Sequence, residues 1–197
     1  MRLTNTFPVA VLLFNALRGD ALAACWIPME SPSTLRFSVK QPGNTTIIGQ
    51  FRRFDGRICL DPAAPASDNI RLHVQTASVD TGLPELDQAL RSPVFFGTEK
   101  WPQATFESES IQHLEGQARY EVKGKLTLRD VSKTIEVPFT LIPSPDKQSA
   151  KLKGETAINR LDYGVGQGQW GDTQWADNKV TLEFSVNLER ADSNEGN

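Results

Sequence analysis

From residue 180 to residue 188 apolar and polar positions alternate without a break, with Val180, Leu182, Phe184, Val186 and Leu188 set against Thr181, Glu183, Ser185 and Asn187. Period two sends the two sets to opposite faces of a strand, one apolar and one wet. The same pattern runs through Leu35, Phe37 and Val39, through Ile70, Leu72 and Val74, and through Ala118, Tyr120 and Val122. It returns in Ile135, Val137, Phe139 and Leu141, and in Leu152, Gly154, Thr156 and Ile158. Turn-forming clusters separate the runs at Pro42-Gly43-Asn44, Asp55-Gly56, Pro62 to Asp68, Glu115-Gly116 and Pro143-Ser144-Pro145-Asp146. That spacing predicts antiparallel hairpins in an all-β meander. A sheet of many strands with one apolar face must pack on a second sheet or close on itself, and the alternation is compatible with either.

One helix interrupts the meander. Pro84 and Glu85 suit a first helical turn, Leu86, Ala89 and Leu90 share one face, Arg91 complements the last turn, and Ser92-Pro93 stops it. A helix over 84–91 is too short to stand alone, so it must lie against a sheet.

Composition narrows the function classes. A hydrophobic fraction of 39% and a charged fraction of 23% in 197 residues fit one folded domain rather than a disordered or membrane-spanning chain. A net charge of -3 supplies no broad basic surface, so nucleic acid is not an expected partner, and Arg52-Arg53, Lys151 and Lys153 read as solvated strand faces. Residues 1–23 have the order of a secretory signal: Arg2, an apolar stretch from Phe7 to Leu17, then Ala21-Leu22-Ala23. Cleavage before Ala24 leaves a domain over 24–190 and a polar tail over 191–197, in a periplasmic protein. Cys25 and Cys59 are the two cysteines, and in an oxidising compartment they are expected to form a disulfide. The competing reading takes Leu22-Ala23-Ala24-Cys25 as a lipobox with Cys25 acylated, a lipoprotein whose Cys59 would be left over.

Several ordered blocks carry a family resemblance. Ser78-Val79-Asp80-Thr81-Gly82, Leu90-Arg91-Ser92-Pro93 with Phe95-Phe96, and Trp101-Pro102 with Ala104-Thr105-Phe106 resemble the YceI-like family. Gly124-Lys125-Leu126-Thr127-Leu128-Arg129-Asp130-Val131-Ser132-Lys133 resembles its hairpin, and Ile158-Asn159-Arg160-Leu161-Asp162-Tyr163-Gly164-Val165 its "N-R-x-D" block. Asp130 departs from the family's usual Gly, which leaves the turn type open there. The resemblance, over roughly Trp26 to Arg190, implies an antiparallel lipocalin-like β-barrel of about eight strands that holds an isoprenoid or another long-chain amphiphile, and association with a membrane cytochrome. No cofactor other than a bound isoprenoid or fatty-acyl lipid is implied.

Catalytic readings are weaker. Asp80-Thr81-Gly82 is the tripeptide that presents a catalytic aspartate in aspartic proteases, but a second copy is missing because Asp172-Thr173 is followed by Gln174. A turn at a strand end is the simpler reading, with a hydrolase using Asp80 the alternative. His73 and His113 lie far apart in β-like runs without ligand-spaced partners, so no metal site is expected. The glycines of 164–168 precede no helical pattern and read as a loop. Trp101, Trp170 and Trp175 with Tyr163 sit beside loop-forming residues, where they either cover a barrel end or rim a lipid-binding mouth. Arg160 and Asp162 either brace their loop as an ion pair or place Arg160 against a ligand head group, the bracing role being favoured. For a lipid chamber, alternation nominates Leu72, Val74, Phe106, Val137, Phe139, Ile158, Phe184 and Val186 as lining, with Trp101 and Trp170 at the mouth. A barrel packed solid by its own side chains, acting as an interaction module, satisfies the same pattern.

Overall fold

A computed structural model of the chain describes residues 24–60, 67–114 and 118–191. Residues 1–23, where a secretory signal is expected, most of the Pro62 to Asp68 stretch, Glu115-Gly116 and the tail beyond Ala191 lie outside the described residues. Among the described residues ten strands follow in order: β1 Ala24–Gln41, β2 Thr45–Phe51, β3 Phe54–Leu60, β4 Asn69–Gln75, β5 Val79–Asp80, β6 Gln103–Leu114, β7 Arg119–Leu128, β8 Val131–Pro143, β9 Ser149–Asn159 and β10 Lys179–Arg190. All pairings are antiparallel, and β10 returns to pair with β1 from Trp26↔Arg190 to Val39↔Val180, which closes the sheet. The expected barrel is therefore present, and the sandwich is excluded.

Ten strands occupy eight positions around the ring because two positions are split. β2 and β3 together pair along β1, from Gln41↔Thr45 to Ala24↔Leu60, with a break at Arg52-Arg53. β4 and β5 pair along them in turn, with a 3-10 turn at Thr76–Ser78 between. Asp55-Gly56, expected as a turn, lies instead inside β3. The reason is local: a side chain on Gly56 would strike Leu72 and the Arg71 carbonyl of β4, so the glycine marks close approach of two strands. At the β7–β8 hairpin Leu128 pairs with Val131, and the left-handed residue is Arg129 with φ 58°, so Asp130 meets no steric demand for glycine.

The helix α1, Pro84–Arg91, has the expected bounds. Asp87 Oδ1 accepts from the Thr81 backbone N–H and hydroxyl, both at 2.7 Å, tying the helix to the end of β5. Arg91 donates to the Ala77 and Val79 carbonyls at 2.9 Å. The inward residues form two clusters. One fills an end of the barrel with Trp26, Leu60, Leu141, Ala150 and Leu188, and the other joins Phe37, Val79, Leu128 and Val180 of the wall to Leu90, Phe96, Tyr163 and Val165 from the helix and loops.

Candidate functional site

Between the clusters lies a chamber of about 340 Å3, inside the range of roughly 300–1,000 Å3 usual for small-molecule sites. Its walls come from alternate residues of the strands, because the period-two pattern that keeps Thr181 and Glu183 out turns Val180, Leu182, Phe184 and Val186 in. Leu72, Val74, Phe106, Val137, Phe139, Ile158, Phe184 and Val186 all line it. Sequence reasoning passed over Leu35, Phe37, Phe54, Ile58 and Val122, whose alternation carries the same signal. It also missed Leu86 and Ala89, which reach the chamber from the apolar face of α1, and Phe95, Val165 and Ala176, which reach it from loops that carry no periodic pattern.

Three of the wall phenylalanines keep their rings against the barrel by lying over glycines. An added methyl at Gly49 would fall within the Phe37 ring edge, at Gly154 within that of Phe184, and at Gly124 at 2.5 Å from Phe106 Cζ. Phe37 faces Gly49 and Phe184 faces Gly154 directly across strand pairs, while Phe106 reaches Gly124 diagonally. Glycine thus provides wall space for a ring that would otherwise project toward the axis.

The loops shape one end of the chamber. Trp170 lines it, with its ring centroid 5.6 Å from that of Phe95. Trp101 does not line it, which corrects the expected mouth position: its indole packs under the Arg129 guanidinium, 4.2 Å from the ring centroid, and against Gly97. Arg129, buried at 7% exposure, donates to the Pro93 and Phe95 carbonyls, so the hairpin, the tryptophan and the post-helix loop form one clasp. A cation stacked on an indole favours this packing over solvent exposure. Trp175 is exposed and Tyr163 is fully buried. The Tyr163 hydroxyl and the Trp26 indole N–H have no hydrogen-bond partner among the described residues. Burial first, and the nearby Asp162 charge second, hold the Tyr163 phenol above its ordinary pKa.

Arg160 is 6% exposed and lines the chamber. Its partners are carbonyls rather than Asp162: Nε donates to Asp177 at 2.9 Å, Nη1 to Val165 at 3.0 Å and Nη2 to Ala176 at 2.8 Å. The bracing role is therefore real, with different partners from those expected, and burial lowers the guanidinium's pKa from its ordinary value.

Asp80 ends β5, where the chain turns toward α1. Its Oδ1 accepts the Gly82 N–H at 2.9 Å and its Oδ2 pairs with Arg52 at 2.7 Å. The Gly82 N–H, then Arg52, hold this carboxyl below its ordinary 3.8. An ionised, ion-paired carboxylate lacks the shared proton of an aspartic-protease dyad. Among the described residues no group of three or more His, Cys, Asp or Glu side chains is placed to hold a metal. Cys25 and Cys59 face each other across β1 and β3 and are joined as a disulfide, so Cys25 has no thiol free for acylation. A stable disulfide is the chemistry of an oxidising compartment.

Fold and chamber together define a closed antiparallel β-barrel with an apolar interior. The chain belongs to the YceI-like domain family, whose pattern it matches over residues 26–188. It is 32% identical over 180 residues to Protein YceI of Escherichia coli O157:H7, covering 88% of this chain and 92% of that one. A UPF0312 protein of Pseudomonas aeruginosa (strain LESB58) is 33% identical, with 88% of this chain and 90% of that one covered. Among solved structures, Burkholderia cenocepacia BcnA superposes with a TM-score of 0.76 at 28% identity, over 81% of this chain and 98% of that one. A polyisoprenoid binding domain from Saccharophagus degradans shares the fold, with a TM-score of 0.67 at 17% identity over 86% and 99% of the two chains.

Proposed function

We propose that this chain is an exported, noncatalytic protein that holds an isoprenoid or another long-chain amphiphile, such as a quinone or polyprenyl lipid, inside its barrel for carriage or storage. The observation that carries this reading is the chamber, walled by aliphatic and aromatic side chains from the strands, α1 and the loops. Each CH2-sized group moved from water into such a space gains on the order of 0.8 kcal/mol, so a few isoprene units offset the cost of ordering the chain. The fold relative described as a polyisoprenoid binding domain supports the same ligand class. An open chamber of this size also favours a ligand carrier over a barrel filled by its own side chains.

The Cys25–Cys59 bond fits export, and the periplasm is the compartment proposed. Catalysis is not part of the proposal, because the Asp80 carboxylate is committed to Arg52 and Gly82. No cofactor beyond the lipid is invoked, and a membrane cytochrome partner rests on family resemblance alone. Gentle organic extraction of the purified protein followed by mass spectrometry tests the reading. A stoichiometric prenyl or acyl species supports it, whereas its repeated absence, with no uptake of added lipid, selects the filled barrel.

A further inference from the structure

Both ends of the chamber are obstructed. One is filled by Trp26, Leu60, Leu141, Ala150 and Leu188. At the other, Leu90, Phe96, Tyr163 and Val165 pack onto the wall, and the segments that carry them are tied down: α1 through Asp87 and Arg91, the post-helix loop through Arg129, and the loop of Val165 through Arg160. A ligand moving along the barrel axis must displace close-packed side chains and break several of these bonds together.

The side wall is weaker in one place. β8 pairs with β7 from Arg119↔Thr140 to Leu128↔Val131, and β9 pairs with β10 from Asn159↔Lys179 to Ser149↔Glu189, but β8 and β9 meet only from Phe139↔Gly154 to Pro143↔Ala150. Pro138 explains where their ladder stops. The Leu141 N–H donates to the Ala118 carbonyl on the β7 side, so odd positions of β8 bond toward β7 and even positions toward β9. Position 138 is the next that would donate to β9, and proline has no N–H to give. From there residues 134–138 stay on β7 and residues 155–159 stay on β10, leaving a slit between them about 17 Å long at about 3.4 Å per residue.

One hydrogen bond crosses this slit among the described residues: the Thr156 hydroxyl donates to the Glu136 carbonyl at 3.0 Å. Ile135 and Val137 on one bank and Thr156 and Ile158 on the other all line the chamber, so the slit lies directly over it. Glu136, Glu155 and Ala157 are exposed on the outer side.

We propose that the slit between β8 and β9 is the passage through which the amphiphile enters and leaves, sideways through the wall, when Thr156 releases the Glu136 carbonyl. This rests on the lipid-binding reading and adds the route. No backbone ladder has to break, and the one hydroxyl bond given up is exchanged for a bond to water. A passage acts on entry and exit alike, so narrowing it slows exchange and leaves the affinity that the chamber sets.

Glu136→Cys with Ala157→Cys tests the route, because these positions face each other on the outer surface when the register of Phe139↔Gly154 is continued. Bismaleimidoethane bridges the two thiols and spares the native Cys25–Cys59 bond, and the same variant capped with N-ethylmaleimide is the control. Stopped-flow fluorescence follows cis-parinaric acid entering the delipidated full-length protein and leaving it for phosphatidylcholine vesicles. The bridged form should exchange the probe about tenfold more slowly or less in both directions, with an affinity matching that of the capped form. Pro138→Val supplies the missing donor and should slow exchange without any crosslink. Equal rates in the bridged and capped forms overturn the passage and leave the lipid-binding reading standing, and a weaker affinity at an unchanged entry rate also overturns it, making the slit part of the wall. No binding of the probe by the parent protein overturns both readings. Amide hydrogen exchange gives a readout that needs no lipid: Glu155 and Ala157 should exchange about tenfold or more faster than Lys151 and Lys153, whose amides the ladder holds. Equal protection of the two pairs refutes the slit.

Discussion

Replacing Gly124 by alanine probes what keeps the barrel hollow. In a strand, alanine is ordinarily the better residue by roughly 0.5–1 kcal/mol, so a destabilised variant would show that space, not backbone freedom, is what the glycine supplies. The new methyl would stand 2.5 Å from Phe106 Cζ and 2.6 Å from the Glu107 carbonyl oxygen. Carbon atoms pack at about 3.5–4.0 Å, so the ring must retreat by about 1 Å. The carbonyl belongs to the backbone of β6 and yields less readily. Strain of this kind costs about 1–3 kcal/mol. Set against the propensity gain, the net loss should be about 1–2 kcal/mol, or a melting temperature lower by about 2–8 °C for a domain of this size. The ring retreats into the chamber, so lipid retained after purification should fall as well. Phe106→Leu in the same background should recover part of the loss, and a double-mutant cycle measures the coupling. A Gly124→Ala protein at least as stable as its parent and fully loaded, or strictly additive costs, would refute the reasoning.

Other perturbations probe separate features. Val186→Gln puts an amide into the wall at a cost of about 1–3 kcal/mol; lipid retention measured by extraction should be lost while circular dichroism still reports a folded barrel, and normal retention argues against the site. Tyr163→Phe removes a buried hydroxyl without a partner among the described residues, so the variant should be neutral or more stable by about 1 kcal/mol, and a clear loss in thermal melting would contradict this. The folded-state pKa of Asp80 lies below 3.8, so its contribution is complete above that pH and disappears as pH falls through the lower folded-state value; an NMR titration midpoint at or above 3.8 would reverse the sign. Reducing the Cys25–Cys59 bond, which joins positions 34 apart, should cost about 3–4 kcal/mol in denaturant unfolding. The intact mass should be two hydrogens short of the reduced chain, and added acyl mass would exclude the bridge.

What was legible in the sequence was the periodic part. Alternation in Val180 to Leu188 and in Ile135 to Leu141 fixes which residues face inward, because strand geometry leaves only two faces to choose between. Closure is not encoded in any one strand: it depends on β10 meeting β1, and only the family resemblance pointed to it. Hollowness was hidden too, since it depends on Phe106 lying over Gly124 two positions out of register, a relation visible only once the strands are aligned. Trp101 was misplaced because an indole beside a proline looks the same whether it meets a ligand or Arg129, 28 residues away in the chain and only 4.2 Å from its ring centroid in space. For Arg160 the motif gave the bracing role, yet the acceptors are carbonyls from a loop whose path no local pattern specifies.

The seam between β1 and β10 joins the beginning of the domain to its end, with Ala191 still donating to the Cys25 carbonyl at 2.9 Å. A chain emerging N-terminus first therefore carries a β1 with one edge unpaired and a growing, open-edged sheet until β10, its last strand, arrives. Until then the greasy lumen is a trough open along its whole length, a state that invites both premature lipid capture and self-association. Loss of the C-terminal strand by early termination should thus yield no smaller barrel, only an aggregating sheet.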